Sequence, residues 1–348
     1  MGIFVYLPLV LPLTALPVAR LAAHHLHPRG ATRLLAVAGT TLALCSTLCL
    51  ALLMVIGTAR LPGNPLPDGW SDPEVRAALP YEDRTGLVAI GVLGAVVAGC
   101  AVTLVRHVRT RAAAARALGA AGAGRGAVSA HGSGADAGVR VVESPAPYAY
   151  ALPGGLLSGR TRGTAGTGRV VVSSALLDCL EPDEQQALFA HERAHLAGRH
   201  HRYLLLTQLA ARANPFLVPL RTAVAYTTER WADEEAAQAV GSRRVVARAV
   251  GKAALVSARS PFAGPAGSAG PTGFAGPAGP AGFAAAGPVP LRVAALLDPA
   301  PTARFWPPAS AHLLLAALTA TAGTAVSALS SVNATVTLVR ILHGATLL

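Results

Sequence analysis

Residues Glu181–His201, EPDEQQALFAHERAHLAGRHH, determine how the middle of this chain folds. A proline near the first position and acidic residues in the first turn are typical of the beginning of a helix. We therefore predict a helix that begins near Pro182 and continues through at least His200. The neighbouring Leu188 and Phe189 indicate that one face of this helix is buried.

Within this helix, His191, Glu192 and His195 form an HExxH motif. Residues four apart project from the same helix face, so both imidazoles can reach one tetrahedral Zn²⁺ at distances of about 2.0–2.1 Å. Glu192 lies beside them and can take a proton from a water whose pKa the metal lowers to about 7. The motif thus predicts a hydrolytic zinc site with Glu192 as its catalytic residue.

A catalytic zinc site needs a third protein ligand, and the sequence offers two candidates. The first extends the motif to the metzincin pattern HExxHxxGxxH, in which Gly198 turns the chain and His201 binds the metal. That class also needs a methionine turn downstream, whereas the chain has only Met1 and Met54. An apolar helical pattern continues past Gly198, and a straight helix would point His201 away from the metal.

The second candidate lies 34 residues after the motif, in Thr227–Asp233, TTERWAD. Glu229 and Asp233 are four residues apart on one predicted helix face. Glu229 would be the third ligand, and Asp233 would hydrogen-bond to a ligand histidine and fix its tautomer. An ordinary acidic helix start is the alternative, because two more acids follow; the upstream HExxH motif favours the ligand.

The composition indicates a membrane protein. The chain of 348 residues is 52% hydrophobic and 13% charged, whereas an average soluble domain is about 25% charged. Four apolar stretches are long enough to cross a hydrocarbon core of about 30 Å: Gly2–Val18, Leu34–Thr58, Gly86–Val105 and Ala309–Val339. The expected fold class is mainly α with a small β element, in a polytopic membrane protein with four transmembrane helices.

The distribution of charge predicts the orientation of these spans. The segments after the first and third stretches are rich in arginine, whereas the segment between the second and third carries five acids against three arginines. The positive-inside rule then places the N-terminus outside and the region from Arg106 to Pro308 in the cytoplasm. The net charge of +12 therefore reflects membrane topology. A nucleic-acid-binding protein would need a basic face in its soluble domain, but 12 of the 17 acids lie within 136–298, so we expect no direct nucleic-acid binding.

The soluble region contains two short predicted strands and two low-complexity segments. Val139–Glu143 and Arg169–Ser173 are rich in valine, as strands are. The Ala/Gly-rich segment Ala112–Gly138 is predicted to extend the third span as a helix and then to become a linker. Gly264–Gly282 has glycine at every third position, but it has too few triplets for a collagen triple helix and is predicted to be an extended linker.

Three further features of the soluble region give expectations about packing. The apolar segment Tyr203–Leu220 carries Arg212 near its middle, and a charge at the bilayer centre is costly. We therefore predict that this segment packs on the domain or lies at the membrane surface. His200 is predicted to lie at the surface or to face the headgroups, and Trp231 to pack in the core.

HExxH followed by ExxAD, between a third and a fourth span, resembles the membrane-embedded gluzincin metallopeptidases of the M48 and M56 families, above all the M56 (BlaR1/MecR1-like) type. The resemblance implies a zinc endopeptidase with a cytoplasmic catalytic domain in a multi-pass protein of the cell membrane. Its substrate would be a protein or peptide, such as a BlaI-type transcriptional repressor or a membrane protein. The resemblance also implies that Ala149, Tyr150 and Ala151 form a strand edge that binds substrate in extended form.

Together these features predict a domain order. The expected segments are three transmembrane helices (1–105), an Arg-rich and then Ala/Gly-rich linker (106–138), a zinc metallopeptidase domain (139–260), a Gly/Pro/Ala linker (261–288), a cytoplasmic segment (289–308), a fourth transmembrane helix (309–339) and a tail (340–348). The alternative function is a membrane signalling scaffold that retains the metal site but has little proteolytic turnover.

Overall fold

The computed structural model describes residues 5–58, 83–123, 138–154, 168–259, 288–301 and 311–346. Within these ranges the chain is mostly helical and contains one small sheet, as predicted. The helices are α1 (Leu7–Val10), α2 (Ala15–His25), α3 (Pro28–Thr58), α4 (Asp83–Ala123), α5 (Ser174–Leu177), α6 (Pro182–Ala197), α7 (His200–Ala213), α8 (Val218–Val240), α9 (Arg243–Arg259), α10 (Val289–Leu297) and α11 (Ala311–Thr346). The strands are β1 (Val139–Val142), β2 (Ala149–Leu152) and β3 (Arg169–Ser173).

Strand β3 is the centre of the sheet, whose strand order is β1-β3-β2. It runs parallel to β1 and antiparallel to β2. Its residues Val170, Val171 and Val172 are each at most 2% exposed, because a central strand is covered on both faces. Both predicted valine-rich strands are present, and β2 lies at an edge of the sheet, with Tyr150 opposite Val171.

Three helices are long and apolar enough to cross a membrane. The candidate spans are Pro28–Val55 in α3, Thr85–Arg116 in α4 and Thr321–Arg340 in α11. These three helices suggest that the protein is associated with a membrane.

The expected first span, Gly2–Val18, is not among these candidates. The described part of it consists of α1, a 3₁₀ turn at Leu11–Thr14 and the start of α2. The apolar helical run there, Leu7–Ala23, is shorter than the three candidate spans. Pro8 and Pro12 begin new helical segments, because proline lacks the N–H that a continuous α-helix needs.

Helix α6 ends at Ala197, which corrects the prediction that it continues through His200. Arg199 has a φ of 51°, and this left-handed conformation redirects the chain before α7 begins at His200. Gly198 is required here because a Cβ at this position would collide with the imidazole of His200. The apolar pattern that suggested a straight continuation therefore belongs to a separate helix.

Helices α7 and α8 form a hairpin that packs against α2 and α3. Asn214 closes its turn: its Oδ1 accepts a hydrogen bond from the Phe216 amide at 3.0 Å, and its Nδ2 donates to Ser46 Oγ at 3.0 Å. Leu220 lies in one buried cluster with Leu35 of α3. Because the chain reverses at this turn, Tyr203–Leu220 is not one continuous helix, and it packs on neighbouring helices as predicted.

A second buried cluster joins the sheet to α6, α8, α9 and α10. It includes Val172 of β3, Leu188 of α6, Val250 of α9 and Leu296 of α10. Helix α10, which lies in the predicted cytoplasmic segment 289–308, packs in this cluster with the helices of the predicted peptidase domain. This position matters for the site described below.

Glu184, in the first turn of α6, ties this helix to α9. Its side chain is 0% exposed. Its carboxylate accepts hydrogen bonds from Lys252 Nζ at 2.7 Å, from Arg248 Nε at 3.3 Å and from the Glu181 amide at 3.0 Å. Burial acts to raise the pKa of Glu184, but these donors outweigh it and hold the pKa below its usual value of 4.5.

We expect Glu184→Gln to lower the free energy of unfolding at neutral pH by about 1–2 kcal/mol, because glutamine removes the charge that Lys252 and Arg248 contact. The folded-state pKa is lower than the unfolded-state pKa, so this stabilisation is present above pH 4.5 and is lost as the pH falls through the folded-state value. Thermal unfolding in detergent at pH 7 and about pH 3 measures the effect. The matched control is Asp183→Asn, an exposed acid in the same turn. A Glu184→Gln deficit equally large at both pH values would contradict the expectation.

Candidate metal centre

Helix α6 presents two histidines one turn apart on its buried face. His191 is 0% exposed and His195 is 5% exposed. Their Nε2 atoms lie 3.0 Å apart, so two ring nitrogens point at one position. This is the arrangement that the HExxH spacing predicted.

Helix α8 brings the carboxylate of Glu229 to the same position. Glu229 Oε2 lies 3.4 Å from His191 Nε2, and Oε1 lies 3.5 Å from His195 Nε2. Ligand atoms bound tetrahedrally at about 2.05 Å from one metal ion are about 3.4 Å from each other. The separations of these three groups therefore fit a bound metal ion. Among the described residues, His191, His195 and Glu229 form the group that could hold one.

A further group lies against the Nδ1 atom of each histidine. Asp233 Oδ1 is 3.0 Å from His191 Nδ1, and His200 Nδ1 is 2.8 Å from His195 Nδ1. Partners at Nδ1 fix the ring orientation and leave Nε2 for a metal. Asp233 is where the sequence predicted it. His200 is not: it is 0% exposed and packs on Trp231 with ring centroids 4.4 Å apart, which corrects the expectation of a surface histidine.

Arg292, from α10, is the site residue that sequence reasoning missed. It is 0% exposed. Its Nη2 donates to Asp233 Oδ1 at 2.6 Å and its Nε donates to Asp233 Oδ2 at 2.8 Å, a bidentate pair that fixes the carboxylate geometry. Its Nη1 lies 3.2 Å from Glu229 Oε2. The sequence signal was a lone arginine in the apolar helix VPLRVAALL.

The charges of these groups shift their pKa values in opposite directions. Burial acts to lower the pKa of His191, but contacts with Asp233 and Glu229 outweigh it and raise the pKa to about 9. Burial lowers the pKa of His195 well below its usual value, although Glu229 opposes the shift. Burial acts to raise the pKa of Glu229, but its electrostatic interactions with His195, Arg292 and His191 lower it. At neutral pH the Glu229 carboxylate is therefore ionised, and a metal ion that bound here would compete with a proton on His191.

Glu192 lies in α6 directly after His191 and is 0% exposed. Arg292 is close enough for the two charges to interact. A buried carboxylate adjacent to converging metal ligands is placed to exchange protons with a molecule bound there. Its position is consistent with the catalytic role that the motif predicted.

His201 and Trp231 lie outside the converging group. His201 is half-buried in the first turn of α7, and burial with the nearby charges of Arg111 and Arg202 lowers its pKa to about 4. The turn at Gly198 directs His200, and not His201, toward His195. Trp231 is 4% exposed, so it packs in the core as expected.

The fold and the site define a class: a helical, membrane-associated protein with a metallopeptidase-like centre, built from two histidines of one helix and a carboxylate of another. Residues 123–220 match the profile of peptidase family M48. The matched segment includes α6 with His191, Glu192 and His195, and it ends before Glu229. No curated protein and no solved structure matches the chain.

The match supports a metallopeptidase of family M48. Members of this family are metal-dependent proteases, and the buried His-His-Glu group is consistent with that activity. The M56 subtype suggested by the sequence is not confirmed by this match.

Replacing Arg292 by methionine is expected to lower the free energy of unfolding by about 3–5 kcal/mol, because it leaves the buried Asp233 and Glu229 carboxylates without their cation. The matched control is Arg244→Met, at an exposed arginine of α9. Thermal unfolding of both variants in the same detergent measures the difference. Equal midpoints for the two variants would show that the buried pair does not stabilise the fold.

Proposed function

We propose that this protein is a membrane-embedded zinc endopeptidase whose metal ligands are His191, His195 and Glu229. The observation that carries the proposal is the convergence of these three buried groups at mutual distances of 3.0–3.5 Å. The match of the surrounding segment to family M48 supports it. Two imidazoles and a carboxylate are a common ligand set for catalytic zinc.

When bound, zinc supplies the Lewis-acid chemistry that lowers the pKa of a water to about 7. The chain's own residues do the rest. The Glu192 carboxylate takes a proton from the attacking water and passes it to the amine nitrogen of the leaving peptide. Asp233 and His200 hold the two imidazoles in position from their Nδ1 sides, and Arg292 holds Asp233 and balances the charge of Glu229.

We further propose that β2 binds the substrate in extended form. β2 is an edge strand of the described sheet, and its Ala149, Tyr150 and Ala151 pair with β3. The outer side of an edge strand offers backbone groups to a peptide that adds as a further strand. This proposal accounts for peptide binding without requiring a particular substrate sequence.

The proposed setting is a multi-pass protein of the cell membrane with its catalytic domain in the cytoplasm. Its substrates would be a cytoplasmic regulator, such as a BlaI-type transcriptional repressor, or membrane proteins. The test compares new protein N-termini in cells that express the wild type with those in cells that express Glu192→Gln. Termini that arise only with the wild type identify substrates, and two identical sets of termini would count against the proposal.

A further inference from the structure

A cationic cavity of about 520 Å³ lies beside the active-site helix. We call it the arginine cavity, because Arg29, Arg33, Arg199 and Arg202 line it together with Trp231. All four arginines are exposed. Among the described residues, none of the four forms an ion pair with a carboxylate. Four guanidinium groups therefore surround one cavity without an ion-pair partner among the described residues.

The acid that lines the cavity does not neutralise this charge. Glu235 is the one acidic residue among the described lining residues, and its Oε1 accepts a hydrogen bond from Trp231 Nε1 at 3.0 Å. The formal charge of the arginine cavity remains strongly positive. A cavity of this kind selects an anion with several acceptor oxygens, and arginine forks match phosphate geometry.

Two of the arginines contact Trp231, and the other two lie at the turn between α6 and α7. The guanidinium carbons of Arg29 and Arg33 lie 5.4 Å and 5.5 Å from the centroid of the Trp231 ring, within cation–π range. Arg199 has a φ of 51°, a conformation that is unfavourable for a residue with a side chain and that recurs at ligand sites. Arg202 lies in the first turn of α7, where the helix dipole is positive.

The position of the arginine cavity along α3 indicates the source of the anion. The candidate span Pro28–Val55 has 28 residues, or about 42 Å of helix, against about 30 Å of hydrocarbon. With the span centred on the bilayer, about 6 Å of helix extends beyond the hydrocarbon at each end, which places the first turn of α3, with Arg29, at the level of the headgroups and Arg33 next to it. Leu206, 43% exposed, adds an apolar wall to the cavity, which suits the glycerol and acyl carbons of a lipid but not free phosphate.

We propose that the arginine cavity binds the phosphate of an anionic phospholipid headgroup. Ala194 and Ala197 of α6 also line the cavity, so the bound headgroup contacts the helix that carries His191 and His195. This inference does not depend on proteolytic activity. It adds a lipid site to the protein whatever its substrates are.

The test uses the intrinsic fluorescence of Trp231 in the full-length protein in maltoside detergent. Trp70→Phe and Trp306→Phe leave Trp231 as the only tryptophan of the three. The probes are short-chain phosphatidylglycerol, short-chain phosphatidylcholine and inorganic phosphate. We expect a saturable change with phosphatidylglycerol, and a dissociation constant raised about tenfold or more by Arg29→Gln with Arg33→Gln.

The matched control is Arg244→Gln with Arg259→Gln, which removes two exposed arginines of α9 and should leave phosphatidylglycerol binding unchanged. Circular dichroism confirms that both double variants fold. Binding of phosphatidylcholine equal to that of phosphatidylglycerol would overturn the choice of an anionic lipid. If inorganic phosphate bound as tightly as phosphatidylglycerol, the proposal that the bound phosphate belongs to a lipid would be wrong. An unchanged dissociation constant in Arg29→Gln with Arg33→Gln would overturn the site itself.

Discussion

Replacing Glu192 by glutamine is expected to slow peptide hydrolysis by about 10²–10⁴-fold while metal content stays at the wild-type level. Glutamine fits the same buried space, but its amide cannot take a proton from water. The measurement is cleavage of an unfolded protein by the purified full-length chain, with zinc determined by mass spectrometry in the same samples.

A matched control for this variant is Glu143→Gln, at an exposed glutamate next to β1, which should leave the cleavage rate unchanged. Hydrolysis that persists at the wild-type rate in Glu192→Gln would contradict the proposed role of Glu192. If the wild type and Glu192→Gln both retain zinc, cleave nothing and give the same cellular phenotype, the signalling-scaffold alternative describes the protein better.

Replacing Glu229 by alanine is expected to weaken zinc binding by more than about 100-fold, since the loss of an outer-sphere partner alone costs 10–100-fold. The variant removes one of three converging ligands and leaves Arg292 without one of its carboxylates. Zinc content after dialysis against a buffered zinc concentration measures the effect. Activity should fall in parallel.

His201→Ala is the control for the identity of the third ligand. His201, six residues after His195 in the sequence, is the third ligand in the metzincin alternative. It should keep wild-type zinc content, since His201 is outside the converging group. Zinc lost in His201→Ala and retained in Glu229→Ala would revive the metzincin alternative.

Local periodicity explains which parts of the site could be predicted. His191 and His195, like Glu229 and Asp233, are pairs four residues apart on a helix, so each pair shares a face whatever the rest of the chain does. That the two helices meet could be inferred only from the chemistry of the four side chains. The structure brings the two pairs together at 3.0–3.5 Å.

Arg292 and His200 depend on packing that no local pattern reveals. Arg292 enters from a helix 59 residues after Asp233. His200 reaches His195 because the backbone turns at Arg199, and the apolar residues that follow suggested no such turn. In the N-terminal stretch Gly2–Val18, hydropathy predicted a span, but the prolines divide its described part into short helices.

Helix α8 connects the membrane helices to the metal centre, because its first turns pack against α3 and its middle carries Glu229. Leu220 packs against α3, where a Cβ at Gly39 would lie 3.2 Å from Leu220 Cδ2. Nearer to the metal centre, Thr227 accepts a hydrogen bond from Thr32 at 2.9 Å. Glu229 lies nine residues beyond Leu220, about 13 Å along a rigid helix. A tilt of about 5° at Leu220 therefore displaces the Glu229 backbone by about 1 Å. A shift of α3 against α8 would therefore change the distances from the Glu229 carboxylate to His191 and His195.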